Sequence, residues 1–324
     1  MPLVDNQSSN LGGTLIRLLE ERLQHSFPNG ERGKTLLTIA DFSGTHSGSP
    51  FAVYAFLSLD LDRNQRWFEG QRDLRSSSLR NRRMSFKRLN DVVKQQALAP
   101  FLDLADTIQG ALTVVVVPRD FGQIAEIASP ESKPLLDLWK PKIHEHLMRV
   151  THIGGIVSAL MSRPNQDLYF MIDEDDAASN VKQLTRLTDI VARVLSNCLH
   201  HDLRHIKVGT TKSDDGSLSM EDLASISDLA AGSTWELMKS LNSNKIHPVK
   251  GIVTPFPRMI SRKAQIIGHW LAHDEGTLRK SILLFTSEKG QNGGSISSLS
   301  FEPMIGSLVA PTPPAPQPLP LDAP

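Results

Sequence analysis

Residues 111–118 read A-L-T-V-V-V-V-P, an apolar run without the alternation of a half-exposed strand. Such a run is expected of a strand buried on both faces, and burial on both faces requires helices above and below the sheet. The run is far shorter than the ~20 apolar residues that span a bilayer, so it reads as a core strand. With 324 residues and 40% hydrophobic side chains, the chain can cover such a strand and close a sizeable core.

The flanking pattern extends the sheet. Residues 36–44 (L-L-T-I-A-D-F-S-G) give a first strand over 35–40 that ends at Asp41 and the turn-forming Ser43-Gly44 pair. Residues 51–59 (F-A-V-Y-A-F-L-S-L) give a second. The loop between them, 45–50, is short, small and polar, which predicts an antiparallel hairpin. Helical patterns over 137–161, 179–199, 220–241 and 258–273 then alternate with strands at 167–172, 203–210 and 278–286, and 295–301 is expected to pair with the last of these. Another helical pattern starts at Ser85 and carries Leu89, Val92, Leu98, Phe101 and Leu102, with Pro100 placed to break or kink it. Early paired strands followed by alternating elements predict an α/β fold, a mixed sheet covered by helices. No internal repeat is visible. The expected organisation is an N-terminal arm and short helix over 1–34, one domain over 35–305, and a Pro-rich tail over 306–324. The short helix covers 14–24 with Thr14 as its N-cap, and residues 1–10 and the tail are expected to be disordered.

Lys+Arg and Asp+Glu both number 35, so net charge gives no argument for a nucleic-acid partner and any such argument is local. The local candidate is 63–88, where nine basic residues, among them Arg82, Arg83, Lys87 and Arg88, face only Glu69 and Asp73. Trp67, Phe68 and Phe86 are interleaved. Such a segment holds phosphates and stacks on bases, or else forms a solvated excursion whose aromatics close the core. A single cysteine, Cys198, excludes an intrachain disulfide. The N-terminus carries no signal-peptide pattern, so a cytoplasmic protein without a membrane partner is expected. Gly33-Lys34-Thr35 invites a phosphate-loop reading, but its glycine spacing is wrong and it precedes a strand instead of following one.

Three acids stand out. Asp41 ends the first strand. Asp173 ends the strand at 167–172 and opens the run D-E-D-D, where four adjacent acids repel one another and invite a cation. A turn and helix N-cap accounts for Asp175 and Asp176 but less well for Asp173. Asp228 lies on the helix over 220–241, beside Ile226, Leu229 and Ala230, and shares a face with Ser225. These three are expected to meet in space.

The pattern D-x-S-G over 41–44, an acid after a middle strand, and the late run I-S-D-L-A-A-G over 226–232 resemble the bacterial family called domain of unknown function 3800. The resemblance covers roughly residues 36–235. It implies a ribonuclease H-like fold, with Asp41, Asp173 and Asp228 as the metal-binding and catalytic acids. Family members read Glu where this chain has Phe42, and Gln-x-Ala-Asp where it has Ser225-Ile226-Ser227-Asp228. The implied chemistry is that of a nuclease. Phosphodiester hydrolysis needs an activated water and a neutralised leaving oxygen, which two Mg²⁺ (or Mn²⁺) ions about 3.5–4 Å apart supply. Arg82, Arg83 and Lys87 are the candidate phosphate-binding residues.

Two other readings stand beside this one. A fold retained for binding without turnover draws on Phe42. A hydrolase of small phosphoesters would share the acids without needing the basic segment. Ser43 has no identifiable base partner and reads as a turn residue. The histidines at 144, 146, 152, 200, 201 and 205 lack a zinc-ligand pattern, and Cys198 reads as a core residue of an amphipathic helix.

Overall fold

Gly110–Pro118 forms a strand whose first eight residues are all buried, as a both-faces-covered strand requires. The computed structural model describes residues 11–23, 33–124, 133–173, 177–246, 252–253, 260–273, 276–287 and 294–301. The expected disorder of 1–10 and of the Pro-rich tail, and the acids at 174–176, lie outside these. In chain order the elements are α1 (Leu11–Leu23), β1 (Thr35–Ser43), β2 (Phe51–Asp60), α2 (Gln65–Leu74), α3 (Val92–Ala105), β3 (Gly110–Pro118), α4 (Lys133–Leu136), α5 (Pro141–Met161), β4 (Asp167–Ile172), α6 (Val181–Cys198), β5 (His205–Thr210), α7 (Ser219–Ser243), β6 (Ile252–Val253), α8 (Arg262–Ala272), β7 (Leu278–Ser287) and β8 (Gly294–Phe301).

The strands lie in the order β5-β4-β1-β2-β3-β7-β8-β6. The first seven form one mixed ladder, and the two-residue β6 pairs with β8 at its edge. β1, β2 and β3 form an antiparallel meander. β4 and β5 extend it in parallel on the far side of β1. The expected hairpin is present, but β1 runs three residues further than its apolar run, because Asp41, Phe42 and Ser43 pair with Ala55, Tyr54 and Val53.

Successive residues of a strand face opposite sides, and the core divides accordingly. Leu37 and Ile39 of β1 join a cluster with Ala224, Leu229 and Ala230 of α7, Phe101 of α3 and Ile267 of α8. Leu36 and Ala40 join Leu15 and Leu19 of α1, Ile153 and Val157 of α5, and Leu187 and Val191 of α6 on the other face. The chain is therefore an α/β protein with a mixed sheet between two helical layers. Among the described residues no helix is long and apolar enough to cross a membrane.

Local boundaries differ from expectation where side-chain capping decides them. The pattern starting at Ser85 splits into a 3₁₀ turn, Phe86–Arg88, and α3. Asp91 starts α3 by accepting the N–H groups of Val93 and Lys94. Pro100 lies inside α3, which continues to Ala105. α1 begins at Leu11, so Thr14 lies within the helix and does not cap it. The basic segment becomes α2 and a tight π-type turn, Arg75–Leu79.

That turn is tied to α7 by a buried ion pair. Arg75 Nε and Nη2 donate to the two oxygens of Asp222 at 2.6 and 2.7 Å, and Gln71 Nε2 adds a third bond at 2.8 Å. Asp222 is only 1% exposed. Burial pushes its pKa up, and the bonds from Arg75 and Gln71 oppose that shift. Removing one partner leaves the other charge buried and unpaired. Asp222→Ala is expected to cost about 3–5 kcal/mol, and Arg75→Met with Asp222→Leu to recover much of it. Denaturant unfolding of the three proteins measures both effects. An Asp222→Ala midpoint equal to that of the wild type would show that the pair contributes nothing.

Candidate functional site

The parallel pairing of β1 with β4 sets the site. Its register matches Ala40 with Ile172, so the next residue on each chain is an acid, Asp41 and Asp173. Neighbouring strands lie about 4.8 Å apart, which delivers the two carboxylates side by side at one end of the sheet.

The third acid arrives on α7, whose sheet-facing side is built from small residues. Ala224, Ser227, Ala230 and Ala231 are all buried there, and Ser227 Oγ donates to the Ile39 carbonyl of β1 at 3.3 Å. Gly232 meets the ring of Phe86 so closely that a Cβ would lie 2.5 Å from its carbons. This packing brings the 3₁₀ turn over α7, where the Phe86 N–H donates to Asp228 Oδ2 at 2.7 Å. The Ser85 hydroxyl also bonds Asp228. Lys263 of α8 holds the turn from behind through the Phe86 carbonyl at 2.8 Å, with its ammonium over the Phe86 ring.

Asp41, Asp173 and Asp228 therefore line one cavity of about 370 Å³, together with Phe42, Ser43, Arg83, Ser85, Lys87 and Arg88. Asp41 Oδ1 accepts the Phe42 N–H at 2.6 Å, and Asp173 Oδ1 accepts the Thr211 hydroxyl at 3.2 Å. Burial raises the pKa of Asp41 well above the ordinary carboxylate value. The charges of Asp228 and Asp173 raise it further, against the Phe42 N–H and Arg83. Burial also raises the pKa of Asp228, opposed by the Phe86 N–H, the Ser85 hydroxyl and Arg83. Strand-borne and helix-borne acids thus share one field.

The basic wall is more selective than the sequence implied. Arg83 lies 3.5 Å from Asp173 and 3.1 Å from Glu221 in the first turn of α7. Its Nε lacks hydrogen-bond alignment, so the contact with Glu221 is an ion pair without a directed bond. Burial lowers the pKa of Arg83, but the four surrounding carboxylates outweigh it and the net shift is upward. Lys87 lines the cavity as expected. Arg82 does not; it pairs with Asp91 at 2.5 Å. Arg88, named in the basic segment but not among the three candidate phosphate-binding residues, takes its place on the wall. None of the histidines lines this cavity. His144 bonds the Trp139 carbonyl, His152 the Met148 carbonyl, His201 the Ser162 hydroxyl and His205 Asp167. Among the described residues no group of three or more His, Cys, Asp or Glu is arranged to hold a metal ion.

The raised pKa of Asp41 gives a signed pH dependence. Between its unfolded and folded pKa values the folded chain holds a proton that the unfolded chain has released. This group's contribution therefore destabilises the fold as pH rises through that window and is relieved on acidification. Asp41→Asn removes the buried charge in the same shape. It is expected to unfold at higher temperature than wild type at neutral pH, with the difference shrinking toward about pH 4. Thermal unfolding across that range checks it, and a variant less stable than wild type at neutral pH would contradict the assignment.

No protein-family model matches the chain, and no curated protein matches it. The functional reading rests on the site itself.

Proposed function

We propose that this cavity is the active site of a divalent-cation-dependent nuclease with a ribonuclease H-like fold, hydrolysing nucleic-acid phosphodiesters. The observation that carries the reading is convergence. Acids from β1, from the end of β4 and from α7 line one cavity whose remaining wall is basic. The β1–β2–β3 meander, continued in parallel by β4 and β5 with acids at adjacent strand ends, supports the fold assignment.

The donor set fits a hard cation. Carboxylate oxygens are the ligands that Mg²⁺ and Mn²⁺ prefer. Burial is the largest cause of the raised Asp41 pKa, and the repulsion from Asp228 and Asp173 that adds to it is what a cation would relieve. Asp41, Asp173 and Asp228 would hold it. When bound, such a cation lowers the pKa of a water and offsets charge on the leaving oxygen. The chain's own groups do the rest. The Phe42 and Phe86 N–H groups fix the orientations of Asp41 and Asp228. Lys87 and Arg88 face the cavity and would neutralise substrate phosphates. Arg83 is placed to share its charge between Asp173 and a phosphate oxygen.

A second reading has its own support. Phe42 follows Asp41, Arg83 already balances Asp173, and no preformed metal cluster exists among the described residues. On that reading the fold binds nucleic acid without cutting it, whether or not a chelator is present. Hydrolysis of small phosphoesters leaves the basic wall of the cavity unexplained.

The test is incubation with labelled RNA, DNA and hybrid substrates in Mg²⁺ or Mn²⁺. Cleavage is expected to stop with chelator. It should fall roughly a hundredfold or more in Asp41→Asn and Asp228→Asn, the scale of losing one preorganised charge-stabilising group. Cleavage at wild-type rate in Asp41→Asn overturns the proposal, and binding without cleavage selects the second reading.

A further inference from the structure

Arg83 stands among the acids with two carboxylate partners on different sides. Its Nη2 lies 3.5 Å from Asp173 Oδ2, inside the acid cavity. Its Nε lies 3.1 Å from Glu221 Oε2, and Glu221 does not line that cavity. Glu221 and Asp228 are seven residues apart on α7, so they share a face and lie about 10 Å apart along the helix. A guanidinium that moves from Asp173 toward Glu221 therefore leaves the acids without losing a carboxylate partner.

The segment permits that movement in the side chain alone, because the backbone on either side of Arg83 is fixed. The Arg82 N–H bonds the Leu79 carbonyl at 2.9 Å. The Met84 carbonyl accepts the Ser225 hydroxyl at 2.6 Å, and the Phe86 N–H donates to Asp228 at 2.7 Å. The Arg83 side chain itself is about one-third exposed and makes no aligned bond from its Nε. The contrast is with Arg75, which two directed bonds lock to Asp222, the residue after Glu221.

The electrostatics give the movement a cause. Asp228 and Asp173 repel Asp41, and Arg83 stands in the field of all three and of Glu221. A divalent cation among these acids offsets the same negative charge and repels a guanidinium held on Asp173. The two therefore compete for one carboxylate. We infer that Arg83 is a displaceable counter-cation, which shields the acids through Asp173, withdraws to Glu221 when a divalent cation enters, and so sets the cation affinity of the site. The inference rests on the cation-binding reading of the acid cavity.

The experiment measures Mn²⁺ binding to the full chain by isothermal titration calorimetry in about 0.15 M salt, without nucleic acid. Arg83→Met should bind Mn²⁺ about fivefold more tightly than wild type, the upper range for releasing a partly exposed ion pair. Lys87, exposed on the same wall, is the control for charge alone. Lys87→Met should gain less than about twofold, because salt screens an exposed charge at this ionic strength. Glu221→Gln leaves Arg83 with Asp173 and should bind Mn²⁺ more weakly than wild type. Thermal unfolding gives a second readout. In chelator Arg83→Met should unfold below wild type, and saturating Mn²⁺ should close the gap. Equal Mn²⁺ affinities in wild type and Arg83→Met, or equal gains in Arg83→Met and Lys87→Met, overturn the inference and leave the cation site standing. Weaker binding by Arg83→Met overturns it as well. Mn²⁺ binding to none of the proteins overturns both the inference and the reading beneath it.

Discussion

The approach of α7 to the β1–β2 hairpin is the contact on which the site depends. A helix with large residues on its buried face stands about 10 Å from a sheet; small residues let it come closer. Ala224, Ser227, Ala230 and Ala231 provide that face, and the Ser227 hydroxyl caps a carbonyl of β1. The approach has two consequences. It places Asp228 in the field of Asp41, and through Gly232 it lets the Ser85–Phe86 turn settle against α7 and deliver an N–H to Asp228. The far end of the hairpin is pinned by the same helix. Trp235 bonds Ser49 at 2.7 Å and packs against Gly44, whose φ of +74° and contact with the indole both exclude a side chain.

Two arginines of the basic segment are held in contrasting ways. Arg75 is held by two short directed bonds to a carboxylate that is 1% exposed, so moving it would strand a buried charge. Arg83 lies one-third exposed between Asp173 and Glu221, at longer distances and with no aligned bond from its Nε. The first arrangement is stiff and the second is exchangeable. A guanidinium that neutralises an acid cluster without being locked to it can reorient at lower cost than one held by directed bonds.

The strands and the three acids were legible because burial on both faces leaves continuous apolar runs, and the acids interrupt or end them. The meeting of Asp41 with Asp173 was legible only as an expectation, since it needs β1 and β4 to be parallel neighbours with Ala40 opposite Ile172. That register is set by crossovers and packing over more than a hundred residues. The basic wall was the least legible part. In the irregular turn at 80–91 no helical or strand period assigns side chains to a face, so charge alone could not separate Arg82, taken by Asp91, from Arg88. The start of α3 was misplaced for a related reason: the Asp91 cap, not hydrophobic spacing, decides it.

Phe42 gains a different meaning from its place in β1. Consecutive strand residues point to opposite faces, so Phe42 and Asp41 are directed to opposite sides. Asp41 faces α7, whereas Phe42 packs toward α5, its ring 4.3 Å from that of His146 and 6.5 Å from that of Tyr54. A glutamate at this position would sit on the α5 side, near Glu145 and the Arg149 that neutralises it. The aromatic residue therefore does not remove a donor from the side of the sheet where Asp41 and Asp228 meet.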